Sequence, residues 1–188
     1  IDLRAYADES GTHDDPSHCV LAGWIGSPRQ WRLFDEAWGN VLTSFEVPNF
    51  HSKEFFQPNA RRSPTNPYRG WSDHRASEFI DALTNVIAER HINPVGGAVN
   101  VRDFMSYSES ERRYFTDAPV TQSGRITGVI SGSPNKPYHL GVMIFLTEAA
   151  QAARDDITVH FIFDRNEIES SYAIQAFNQI KEQHRNEL

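Results

Sequence analysis

Two strand-like segments lie far apart in the chain and each runs into an aspartate, which limits the available folds more than any other feature. In Leu3-Arg4-Ala5-Tyr6-Ala7-Asp8, the residues Leu3, Ala5 and Ala7 fall on one side and Arg4, Tyr6 and Asp8 on the other, the period of two of a strand. Glu9 follows, and Ser10-Gly11 with the polar run to His18 breaks the strand. The stretch Ile157 to Asp164 repeats the pattern, with Ile157, Val159, Phe161 and Phe163 on one face and His160, a structural histidine, on the other. Read alone, Asp8 and Glu9 are simply polar turn residues. Open α/β sheets, however, gather their sites at strand ends, and a second acid-tipped strand makes Asp8 and Asp164 candidates.

The segments between these strands alternate in period. Cys19 to Ile25 is an apolar run placed to be the hairpin partner of the first strand. Ser27, Pro28 and Gln30 form an N-terminal capping box, and Trp31, Phe34, Trp38, Val41, Leu42 and Phe45 recur at helical spacing, predicting a helix from Pro28 to about Phe45. Ser72 caps a second helix with Ala76, Phe79, Ile80, Leu83, Val86 and Ile87 on its apolar side. Pro94 to Val101 reads as a short buried strand, and Arg102 to Tyr107 as a helical turn. From there to Gly132 the chain is mostly polar and shows no clear element. Pro137 opens a third helix, apolar over much of its circumference and so well buried. A last helix is expected from about Glu167 to His184, with Ala173, Phe177 and Ile180 inward. Strands alternating with helices predict an α/β fold: one mixed sheet, with the helices after Pro28 and Pro137 packed on it around one core.

Composition narrows the function. The 188 residues, 39% of them hydrophobic, suffice for one domain with a sizeable core. A formal net charge of −7 argues against a protein that coats nucleic acid by bulk electrostatics. It leaves room for an enzyme whose acids are neutralised by cations. The single cysteine, Cys19, excludes an internal disulfide and fits a reducing cytoplasm. No run approaches the ~18 apolar residues of a membrane span, and no cationic start leads into an apolar signal core. Ile1 in place of Met suggests a trimmed start.

Two further stretches carry candidate chemistry. His51, Lys53 and Glu54 sit among Phe50, Phe55 and Phe56, which suggests a segment pinned by its rings to the body of the protein. Burying Lys53 and Glu54 there is costly unless they are paired or bound, so the stretch is either a site or a surface ion pair on a loop. From Gln57 to Gly70 the chain is rich in Pro, Asn and Arg, and Arg61, Arg62 and Arg69 either meet phosphates or form a solvated loop.

Tyr6-Ala7-Asp8-Glu9-Ser10-Gly11, the strand up to Gly23-Trp24-Ile25, and His51-Ser52-Lys53-Glu54-Phe55 together resemble the bacterial domain-of-unknown-function 3800 family, over most of the chain. The resemblance implies a ribonuclease H-like fold, here a single domain over residues 1–188. It implies a carboxylate cluster binding Mg²⁺ or Mn²⁺, with Asp8 as the first-strand ligand and Glu54 and Asp164 as the other acids. Glu9, on the opposite side of the strand, is a weaker candidate. Lys53 would contact the scissile phosphate or steer Glu54, and His51 would shuttle a proton or shape its loop. The implied reaction is metal-dependent phosphodiester hydrolysis of nucleic acid, with Arg61 and Arg62 in substrate binding. Where the family continues to an alanine-aspartate pair after a glutamine, this chain has Gln175-Ala176-Phe177, so the domain would lack its C-terminal element and a fourth ligand. Two other readings stay open: a non-catalytic ribonuclease H-like module that binds nucleic acid or a protein partner, and a structural domain whose acids make only local hydrogen bonds.

Overall fold

The computed structural model describes residues 2–10, 16–57, 62–122, 125–130, 132–152 and 157–163, together with 172, 174, 177 and 178. Strand β1 (Asp2–Ser10) lies inside a four-stranded sheet of order β3-β2-β1-β6, with β2 at His18–Gly26, β3 at Asn93–Asn100 and β6 at Thr158–Phe163. β2 and β3 are antiparallel from His18↔Asn100 to Ile25↔Asn93, and β1 and β6 are parallel from Asp2↔Thr158 to Ala7↔Phe163. Residues 11–17 join β1 to β2, too few for the crossover of a dozen or more that parallel neighbours need, so this pair is antiparallel. The molecule is therefore α/β with a mixed sheet, as its periodicity predicts.

The period of two decides which face is covered. Ala5, Ala7, Cys19, Leu21, Ile25, Val95 and Val99 are buried, with Phe161 and Phe163 packed against the same cluster. Helix α6 (Pro137–Ala152) covers this face with Val142, Phe145, Leu146 and Ala149. Gly97 permits the contact, since a Cβ there would stand 2.5 Å from Ile144 Cγ2. Gly23 is required for a different reason: its Cβ would lie 1.8 Å from the carbonyl oxygen of Tyr6, so only glycine lets β2 approach β1 this closely. The residues between the buried ones, among them Arg4, Tyr6, Asp8, Ala22, His160 and Ile162, are exposed on the other face.

The chain divides into two compact units, one of Ile1–Ile25 with Asn93–Leu188 and one of Gly26–Ile92. The second unit contains α1 (Pro28–Ser44), α2 (Ser52–Phe56) and α3 (Asp73–Glu89). The capping box forms as expected: Ser27 Oγ accepts the Gln30 N–H, and Gln30 Oε1 accepts the Ser27 N–H. Ser72 caps α3 by accepting the Arg75 N–H. Within this unit the helix after Pro28 packs on α3. The reason is its aromatic stripe: Trp38, Val41, Leu42 and Phe45 join a cluster built on Phe55, Tyr68 and Phe79. Phe79 is fully buried among the rings of Phe45, Phe50, Phe55, Tyr68 and Trp71, at centroid separations of 5.0 to 6.0 Å. The described apolar residues thus form two clusters where the sequence suggested one core.

The segment that showed no clear pattern is structured. α4 (Val101–Ser106) is followed by α5 (Glu109–Thr116) and by an antiparallel pair, β4 (Ala118–Gln122) with β5 (Arg125–Ile130). Most of the expected last helix lies outside the described residues, including Ala173 and Ile180. Phe177 does pack on the sheet cluster, and Tyr172 is buried in it. The Tyr172 hydroxyl donates to the Thr116 carbonyl at 2.6 Å, and its ring stacks on that of buried His139 at 3.7 Å and 2°. His139 Nδ1 accepts the Ser133 N–H at 3.0 Å. Burial pushes the Tyr172 hydroxyl up to about 12, with the charge of Asp117 adding to the effect. Among the described residues, no helix is long and apolar enough to cross a membrane.

Candidate functional site

Asp8 stands near the carboxyl end of β1 with its side chain on the exposed face, and its Oδ1 accepts the Glu9 N–H at 2.9 Å. Glu9 points to the opposite side and is half-buried, as the strand period dictates. Asp8 borders a broad depression of about 910 Å³ whose lining combines Tyr6, Trp24, Pro94 and Ile162 of the open face with Ala7, Val95 and Phe163 of the covered face and Glu148 of the helix on that face. Glu148 belongs to α6 and was missed by the sequence reading. A signal existed: it is the only Asp, Glu, Lys or Arg in Pro137–Ala152. A lone charge on an otherwise apolar helix must reach an opening in the packing.

The parallel ladder of β1 and β6 is described as far as Ala7↔Phe163. Asp164, which follows Phe163, lies outside the described residues, as does Arg61. Arg62 is described and exposed.

Helix α2 presents the second motif. Phe55 is 3% exposed and meets the rings of Phe50, Tyr68 and Phe79, so the segment is pinned by aromatic packing as expected. The pinning holds the backbone while Lys53 and Glu54 face solvent, so the burial cost weighed from sequence does not arise. Asn66 Nδ2 donates to the Glu54 carbonyl at 2.9 Å, and the Tyr68 hydroxyl donates to the Asn49 carbonyl at 3.0 Å. Burial raises the pKa of the Tyr68 hydroxyl against a hydrogen bond from the His51 backbone, and the nearby Glu54 charge raises it further. His51 Nδ1 lies 4.0 Å from Glu54 Oε1, both side chains at least half exposed, so the pair contributes little to stability. Lys53 and Glu54 belong to the unit of residues 26–92, and Asp8, Glu9 and Glu148 to the other.

The donor chemistry can be set against the cation that the resemblance implies. Asp8 and Glu148 offer hard, anionic oxygens of the kind that Mg²⁺ and Mn²⁺ take. Among the described residues no three His, Cys, Asp or Glu side chains gather to hold a metal ion. Asp8 fits part of such a site, and the further oxygen ligands have to come from elsewhere in the chain. Comparison with protein-family models, curated proteins and solved structures gave no match. The family resemblance therefore rests on the two motifs at Tyr6–Gly11 and His51–Phe55.

Proposed function

We propose that the chain is a divalent-metal-dependent nuclease with a ribonuclease H-like sheet, its site at the carboxyl ends of β1 and β6. One observation carries the reading: these two acid-tipped strands are parallel neighbours in register to Ala7↔Phe163. Their carboxyl ends therefore share one edge, where open α/β sheets place their ligands. Phe163, the last described residue of β6, directly precedes Asp164 in the sequence. The order β3-β2-β1-β6, with β1 between an antiparallel and a parallel partner, also supports the reading.

In this proposal Asp8 and Asp164 hold the cation, Glu148 is an added acid at the same depression, and Glu54 with Lys53 is the second motif of the family pattern. Mg²⁺ or Mn²⁺, when bound, supplies an activated water and neutralises charge on the phosphodiester. The protein's own part is positional. Carboxylates gathered around one cation would repel one another without it, so such a cluster would favour metal binding. Arg61 and Arg62 would contact phosphates of the substrate. A single, buried cysteine, Cys19, suits the reducing cytoplasm proposed as its location.

The test is cleavage of nucleic acid with and without Mn²⁺ by the wild type and by Asp8→Asn. The wild type should cut only with metal, and the variant should bind substrate yet fail to cut while keeping its circular dichroism spectrum. Cleavage that survives Asp8→Asn would end the nuclease reading at this site. Binding by the wild type without any cleavage would instead make the chain a non-catalytic module.

A further inference from the structure

Among the described residues, the depression beside Asp8 is floored by rings and apolar side chains, not by cations. Across the sheet, Trp24 pairs with Pro94 and Tyr6 pairs with Ile162. Gly23 lies against the backbone of Tyr6 and Ala7, which brings Trp24, the next residue, level with Tyr6. The four side chains form a row across β3, β2, β1 and β6 on the open face. Tyr6 and Ile162 are 39% and 37% exposed, high values for large apolar groups. Tyr6 precedes Asp8 by two residues on the same face, which is ~6.8 Å along a strand.

The chemistry of this lining selects its occupant. Among the described residues of this lining, Asp8 and Glu148 are the only charged ones, and none is Lys, Arg or His. Phosphate oxygens find no cationic partner among these described residues, whereas a flat, neutral base gains from the faces of Tyr6 and Trp24. A base within a duplex has its faces covered by its neighbours and offers only its edges in the grooves. Only an unpaired base can lie on the rings.

We propose that Tyr6 and Trp24 form a base-stacking platform beside Asp8, so that the substrate of the site is single-stranded nucleic acid. The inference rests on the nuclease reading for the identity of the reaction. The stacking itself needs no metal and is measured separately from cleavage.

The experiment uses the full chain in chelator at low salt, with labelled single-stranded DNA and RNA oligonucleotides and their duplexes, read by fluorescence anisotropy. A single strand of at least one type should bind at least about tenfold more tightly than its duplex. Tyr6→Ala and Trp24→Ala should each weaken that binding by roughly tenfold to a hundredfold, the range of one lost base stack. Tyr6→Phe and Trp24→Phe keep a ring and should retain most of it. Tyr6 is exposed, so Tyr6→Ala keeps the fold and sustains the test even if Trp24→Ala lowers the melting temperature. Equal affinity for duplex, no single-strand binding, or alanine variants that bind like wild type would each overturn the platform. So would an alkylammonium probe that takes the rings in place of the oligonucleotide. Single-strand binding that needs both rings, in a wild type that never cleaves, would remove the nuclease reading and leave the platform standing.

Discussion

Replacing Tyr172 with phenylalanine removes one oxygen from a position that is 6% exposed. The hydroxyl donates to the carbonyl of Thr116, a residue that is itself fully buried. The variant leaves that carbonyl without this donor, a loss of about 1–3 kcal/mol. The ring stack on His139 is untouched, so the change isolates the hydrogen bond. The pH dependence adds a second signature. Burial first, and the Asp117 charge second, raise the hydroxyl from 10.0 to about 12 in the folded state. A group raised by folding contributes stability that is complete below its unfolded pKa and is lost as pH rises through the folded one. The loss therefore starts near 10, reaches about 1.4 kcal/mol by about pH 11, and continues toward 12. Phenylalanine has no such loss. Guanidinium unfolding followed by far-UV circular dichroism gives the stability of both proteins at each pH. The gap between them should narrow by about 1.4 kcal/mol between about pH 8 and about pH 11. A gap that stays constant over this range would refute the placement of the hydroxyl in a buried, acid-facing site.

Gly23→Ala would place a Cβ 1.8 Å from the Tyr6 carbonyl oxygen and 2.7 Å from its carbon, both backbone atoms that cannot rotate away. The β1–β2 pairing must open, with an expected loss of ~3 kcal/mol and a lower thermal midpoint; an unchanged midpoint would contradict the close approach. Phe79→Ala empties the centre of the aromatic cluster and should cost about 3–5 kcal/mol in chemical denaturation, together with much of the near-UV circular dichroism. A loss below about 1 kcal/mol would mean that Phe79 is not the keystone its ring contacts suggest. If Arg61 and Arg62 each meet a phosphate, changing both to Ala should weaken single-strand binding and reduce the slope of log affinity against log salt by about 1.4. An identical slope would take the two arginines out of substrate binding.

The parts of the fold that were legible in the sequence are those specified by local signals. The period of two gave β1 and β6 their faces, and Ser27-Pro28 with Gln30 marked the start of α1 to the residue. α5 went unseen because its polar surface has no apolar stripe, although Ser108 and Glu111 form a capping box that could have revealed it. The packing of α1 on α3 was not legible because an aromatic stripe states that a helix is buried, not against what. The division at Gly26 and Ile92 left no Gly- or Ser-rich linker to read, since the chain leaves and returns through paired strands. At the site, Asp8 was legible as the acid at a strand end. Glu148 was not, because its neighbours at the depression come from four strands that only the folded sheet assembles.

β2 and β3 are hydrogen-bonded neighbours although residues 26–92 separate them, and Ile25 faces Asn93 where the excursion leaves and rejoins the sheet. Closing so long a loop from a disordered chain costs on the order of 3 kcal/mol more entropy than a two-residue hairpin turn. The excursion has its own aromatic core, and its ends already meet within it, with Ile92 Cγ2 3.0 Å from where a Cβ on Gly26 would lie. Once those helices collapse around Phe79, the two strands are tethered as if by a tight turn. Assembly of the sheet then becomes a local event instead of a long-range search, which favours a helices-first order of folding and a faster rate than the sequence separation of the strands would suggest.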